Sequence, residues 1–130
     1  MIGEVMNERY STTITELFFD PKNRGSLENP SGVGVSGTPG AGPFMVFQII
    51  SEHGEVTDAR FQCHNCGVTV ASGSRLTELV IGKKLTECLA IDTKLLSEAL
   101  DGVPPDKAHS LVFALSAMHQ AIQEASECHK

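Results

Sequence analysis

The stretch that decides the fold is Arg60–Ser74, RFQCHNCGVTVASGS. It reads as the end of a strand, a tight turn carrying Cys63-His64-Asn65-Cys66, and a helix that starts at Gly67 or Val68. Two thiols three residues apart therefore sit at a helix N-terminus, where unpaired backbone N–H groups and the positive end of the helix dipole favour anions. A thiolate is an anion. The placement predicts a lowered thiol pKa and points to metal binding, sulfur transfer or disulfide chemistry.

Working backwards, Val56–Gln62 and Phe44–Ser51 read as strands joined by a hairpin turn at Glu52-His53-Gly54-Glu55, where Gly54 supplies positive φ. Phe47 and Ile49 should share one face, as should Val56, Asp58 and Arg60. The stretch from Pro21 to Pro43 is rich in glycine and proline and predicts a short strand at Val33–Ser36 followed by a loop. It is not an interdomain linker, because only 20 residues precede it, too few for a second domain. Met6–Phe19 reads as a helix that stops before Pro21.

Working forwards, Val68–Ile81 is helical and opens with small residues, which allow either close packing or access of a ligand to the backbone. Gly82 stops it. Leu85–Ala90 and Thr93–Leu100 predict short helices, with Asp92 and Thr93 as cap candidates. A long helix from Asp106 to Glu127 should bury the stripe Ala108, Leu111, Leu115, Met118, Ile122 and Ala125. Strands come before a run of helices, so the expected fold is α+β, a small antiparallel sheet of about three strands covered mainly on one face, in a single domain over residues 1–130.

Composition narrows the function. The net charge of -6 argues against a nucleic-acid or anionic-membrane footprint. No apolar run approaches the roughly 20 residues of a membrane span, and the N-terminus carries acids without a signal pattern. A cytoplasmic location is expected, with thiols kept reduced, so the four cysteines suggest metal or redox chemistry and not a disulfide framework. One C-x-x-C supplies two thiolates where zinc or a cluster takes about four ligands. His109, in the first turn of the last helix, is a candidate third ligand or a surface histidine; His64 is a ligand or a turn residue. Cys88 reads as a buried packing thiol and Cys128 as an exposed one near the C-terminus. His53 and His129 are expected in solvent, and His119 at the boundary of the buried stripe. The loop Gly37–Gly42 lacks the lysine and hydroxyl of a phosphate-binding loop, and no catalytic triad or carboxylate pair stands out, so no enzyme activity is expected.

Segments spread along nearly the whole chain carry a family resemblance. They are Tyr10-Ser11, Asp20-Pro21-Lys22-Asn23-Arg24-Gly25, Gly37-Thr38-Pro39-Gly40-Ala41-Gly42, Asp58-Ala59-Arg60-Phe61, Cys66-Gly67 with Ala71-Ser72-Gly73-Ser74, and Pro104-Pro105-Asp106-Lys107-Ala108-His109-Ser110. In this order they resemble the U-type iron–sulfur cluster scaffold family, the IscU and NifU N-terminal proteins. The resemblance implies a domain that assembles a cluster from iron and sulfur delivered by a cysteine desulfurase, then passes it on. Three positions depart from the family pattern. Ala41 and Ser110 stand where the family has cysteine, and Pro43 where it has aspartate. Cys66 is the inherited cysteine, and Cys63 falls where the family usually has none. Val103-Pro104-Pro105-Asp106-Lys107 looks like the family's chaperone-recognition motif, with Asp106 in place of an apolar residue.

If the family geometry holds, the resemblance implies that Cys63, Cys66 and His109 converge, with His64 as an additional ligand. The cargo would be a transient iron–sulfur cluster or a zinc or iron ion, and a homodimer is one way to complete the ligand set. The rival expectations are an adaptor that docks the assembly machinery without building clusters, and a thiol redox protein using Cys63 and Cys66.

Overall fold

The computed structural model describes residues 10–128, apart from the Cys128 side chain. In chain order the elements are α1 (Thr12–Phe19), β1 (Gly32–Gly37), β2 (Phe44–Glu52), β3 (Glu55–His64), α2 (Gly67–Val80), α3 (Leu85–Leu89), α4 (Thr93–Ala99), a 3-10 turn (Pro105–Lys107) and α5 (Ala108–Cys128). The three strands form an antiparallel sheet in the order β1-β2-β3, and α2 and α5 pack on one face of it. Fold class and element order follow the sequence reading.

The sheet's inner face is written in its alternation. Met45, Phe47 and Ile49 of β2 are buried, as are Ala59, Phe61 and Cys63 of β3. One expectation fails: Val56 does not share a face with Asp58 and Arg60. The register shifts between Ile50 and Ser51, so that Ile50 faces Asp58 while Ser51 faces Val56. The extra residue on β3 is a bulge, which switches the parity. Val56 therefore points into the core with Ala59, and Asp58 and Arg60 form an ion pair on the open face. The hairpin turn is built as expected, with His53 and Gly54 both at positive φ (56° and 79°).

The helix predicted from Met6 begins at Thr12 in the described residues. Ser11 caps it, its Oγ accepting the Ile14 N–H at 3.1 Å while its hydroxyl donates to Leu100 O. Residues 6–9 of that predicted helix lie outside the described residues, as does the expected exposure of Cys128 and His129. Asp92 caps α4 through a 2.9 Å bond from Leu95 N–H. The last helix starts with a 3-10 turn over Pro105–Lys107, so α5 proper opens at Ala108, which is exposed and not part of the buried stripe. Leu111, Leu115, Met118, Ile122 and Ala125 are buried as predicted.

The α5 helix lies unusually close to β1. A Cβ on Gly32 would stand 1.9 Å from Ala121 O, and one on Gly34 would stand 1.8 Å from Ala117 O. The alternating glycines of β1 and the alanines of α5 thus form one backbone-to-backbone contact. At the same seam Val33 N–H donates to Glu124 Oε1 (3.0 Å) and Val35 N–H to Gln120 Oε1 (3.1 Å). These side chains occupy donors that an edge strand otherwise leaves open to pairing. The small residues of α2 serve packing: Ala71, Ser72, Gly73 and Ser74 are all buried. A Cβ on Gly73 would meet Phe61 at 2.7 Å.

Candidate functional site

Cys66 is the N-cap residue of α2, with extended backbone (φ -71°, ψ 168°). The preceding turn is held by Asn65, whose Oδ1 accepts the Cys66 N–H at 2.7 Å. The thiol is half-buried, with Sγ 3.4 Å from Ser110 Oγ and 3.5 Å from Thr69 Oγ1. Both hydroxyl residues are buried. Burial raises the thiol pKa. Hydrogen bonds from the Ser110 and Thr69 hydroxyls and from the Thr69 and Val68 amides outweigh that effect, and the net value lies below that of an ordinary thiol. The lowering expected from the helix N-terminus is therefore present at Cys66, where hydroxyls contribute to it, but the same expectation fails at Cys63, which is buried in the core.

Cys63 is three residues away in a different environment. It lies on the inner face of β3 with 6% of its surface exposed. Burial pushes its thiol up to about 12; the Arg24 cation offsets this in part, and Cys66 adds to it. Arg24 Nη2 also donates to Cys63 O at 3.1 Å, which ties the Asp20–Gly25 segment to the turn. That segment runs beside β3, with Gly25 N–H bonded to Phe61 O and Phe61 N–H to Asn23 O.

His109 is exposed and lines a groove of about 620 Å³ with Val35, Ser36, Gly37, Val112, Phe113 and Ser116, at the edge strand; neither Cys63 nor Cys66 lines it. Adjacent positions on a helix diverge by about 100°, which is why His109 and Ser110 face different neighbours. His64 is exposed at the end of β3, paired across the sheet with Phe44. Ala41 and Pro43 are exposed in a turn closed by Ala41 N–H to Thr38 O (3.0 Å) and Thr38 N–H to Pro43 O (3.3 Å). Among the described residues, no three His, Cys, Asp or Glu side chains stand together closely enough to hold a metal ion. The structure thus brings Cys66 together with Ser110 and Thr69.

In the sequence Thr69 is only one of the small residues that open the helix, and Ser110 only a missing cysteine. The i, i+3 spacing from the N-cap to Thr69 is the signal that carries the first. The second joins residues 44 positions apart and has no local signature. Val103, Pro104 and Lys107 are half-buried, while Pro105 and Asp106 are exposed; Lys107 N–H closes the turn onto Pro104 O at 2.8 Å. Cys88 is fully buried, as expected, its thiol pushed up to about 11 by burial. His119 is half-buried, its Nε2 3.0 Å from Ile91 O.

These environments set an order of reactivity. With a small alkylating reagent, Cys66 should react first of the three cysteines with described side chains, with its half-maximal rate reached below the pH of an ordinary thiol. Cys63 and Cys88 should stay protected until the chain unfolds. Peptide mass spectrometry over a pH series reads this directly. Labelling of Cys88 as fast as Cys66 would contradict the packing.

The family model described as NifU-like N terminal domain matches residues 9–129. The iron-sulfur cluster assembly scaffold protein IscU of Aquifex aeolicus (strain VF5) is 36% identical over 121 residues, which are 92% of this chain and 77% of that protein. The protein of the same description from Escherichia coli (strain K12) is 37% identical over 119 residues, 88% of this chain and 92% of its own. Among solved structures, the N-terminal NifU-like protein of Brucella abortus superposes with a TM-score of 0.74 at 20% identity, covering 92% of this chain and 95% of that one. A putative scaffold protein for the SUF system from Fervidobacterium islandicum AW-1 gives 0.70 at 19% identity, covering 87% and 96%. The structural likenesses establish the fold, and the family model together with the sequence relatives establishes descent: the chain belongs to the NifU-like N-terminal domain family.

Proposed function

We propose that this protein is a scaffold-type carrier in iron–sulfur cluster assembly and that Cys66 receives the cargo. The observation that carries this reading is the Cys66 thiol itself, half-buried at the N-terminus of α2 and surrounded by donors that stabilise its anion. In the family resemblance it is the inherited cysteine. Cargo here means iron, zinc or a cluster in transit.

The residues present do not fit a complete cluster cradle. Ala41 has no side-chain ligand atom, Pro43 has neither charge nor N–H, and Ser110 offers a neutral oxygen to soft iron–sulfide chemistry. Cys63 and His109 remain the proposed additional ligands, with His64 as a further candidate. Recruiting them requires Cys63 to turn out of the core and His109 to leave its groove. The expected holding is therefore weaker than that of a three-cysteine site. A cysteine desulfurase as sulfur donor and a chaperone at Val103–Lys107 are the proposed partners, with exposed Pro105 and Asp106 as the accessible part of the motif.

Anaerobic incubation with ferrous iron and sulfide, followed by desalting, tests the reading. The wild-type protein should retain iron and acid-labile sulfide with visible charge-transfer absorption. Cys66→Ser should lose most of both, while Cys88→Ser should retain them. If the wild type retains neither, cluster carriage by this chain is wrong.

A further inference from the structure

The thiol that the family pattern does not contain has a partner of its own. Cys63 ends the inner face of β3, three residues before the N-cap, and Cys66 lies beyond a turn of only His64 and Asn65. Both are free thiols, and they differ in the way a redox pair needs: Cys66 is half-exposed and held by anion-stabilising donors, while Cys63 is buried on the inner face of β3. The one other cysteine with a described side chain, Cys88, is fully buried and bonded to Val80 O at the far end of α2, about 20 Å away along a 14-residue helix.

We propose that Cys63 and Cys66 form a reversible intramolecular disulfide that closes the cargo-accepting thiol, a redox lock resting on the reading of Cys66 as the acceptor. The oxidant is a low-molecular-weight disulfide, RS–SR, of the glutathione class. Cys66 loses its proton to solvent, and its thiolate attacks one sulfur of RS–SR, forming Cys66–S–SR and releasing RS⁻, which takes up a proton. Cys63 then gives up its proton and its sulfur attacks Cys66 Sγ, forming the Cys63–Cys66 bond; the second RS⁻ leaves and is protonated. The pair loses two electrons and RS–SR is reduced to two RSH. The new bond draws Cys66 Sγ toward β3 and away from Ser110, so locking also releases the contact between the start of α2 and α5. A buried resolving thiol makes the second step the slow one. The same burial shields the reduced Cys63 from direct oxidation.

The test equilibrates the whole protein in glutathione buffers of stepped ratio, traps thiols with acid and alkylates them. The fragment Phe61–Arg75, bounded by trypsin sites, contains both cysteines and no other. Wild type and Cys88→Ser should show this fragment lighter by two hydrogens and unalkylated, and a dithiol reductant should reverse the change. Cys63→Ser should instead stop at a glutathione adduct on Cys66, and Cys66→Ser should stay reduced at Cys63. A wild-type protein that only accumulates the adduct, or stays reduced throughout, overturns the lock. Iron and sulfide retention by the reduced protein is scored separately. Retention without a disulfide defeats the lock alone, and a disulfide without retention defeats the carrier reading on which it rests.

Discussion

Gly34→Ala should cost about 3–4 kcal/mol of stability, at or beyond the upper end of ordinary overpacking, which for a chain of this size is a fall of roughly 10–15 °C in melting temperature. The added methyl would stand 1.8 Å from Ala117 O. Its obstacle is a main-chain carbonyl inside a helix, not the tip of a side chain that can turn away. Relief requires α5 to move off the sheet, yet Ala114, Ala117, Met118, Ala121 and Ile122 anchor that helix from the buried side. The two bonds at the same seam, Glu124 to Val33 and Gln120 to Val35, would stretch with any shift. Val35→Ala is the control, since Val35 is 37% exposed on the other face of the strand; it should stay within roughly 1 kcal/mol of wild type. Calorimetry of the two variants decides the matter. A Gly34→Ala protein that melts within about 2 °C of wild type would mean that α5 is not seated as described.

The Gly34 seam also marks the limit of what the sequence discloses. The alternation of β2, the Gly54 turn, the stop at Gly82 and the 3- and 4-residue spacing of α5 are local periodicities, and each led to the right element. The parity of β3 did not follow, because the bulge at Ile50/Ser51 is a property of two strands together. The start of the last helix slipped because a proline pair reads equally well as a helix N-terminus and as a 3-10 turn. The candidate site divides the same way. Cys66 was legible from a strand, a turn and a helix in succession. That His109 and Ser110 look toward different elements depends on the azimuth of α5 against β1, which only the packed structure fixes. The role of Ser110 was hidden for the same reason. As a letter it is a lost ligand; in the fold it is a hydroxyl 3.4 Å from a thiol.

That distance makes Ser110→Cys the most informative change at the site. Two sulfurs bound at about 2.3 Å to one tetrahedral ion stand roughly 3.8 Å apart, close to the 3.4 Å that already separates Cys66 Sγ from Ser110 Oγ. A cysteine at 110 would therefore present a second thiolate with little rearrangement, where the serine presents a neutral, hard oxygen. Zinc affinity should rise by at least about tenfold, equivalent to about 1.4 kcal/mol, in competition with a chromophoric chelator under anaerobic, reducing conditions. Proton release should separate the mechanism from a general tightening. Each zinc should displace more protons from the variant than from wild type at the same pH, because a second thiol ionises on binding. Ser110→Ala removes the hydroxyl without adding a ligand and should show no gain in affinity. If Ser110→Cys binds zinc no more tightly than wild type, the cleft between Cys66 and α5 is not where an ion enters, and the search for the cargo ligands moves to the Cys63 side of the turn. If affinity rises and Ser110→Ala does not follow it, the serine is what keeps the holding of cargo weak in this chain.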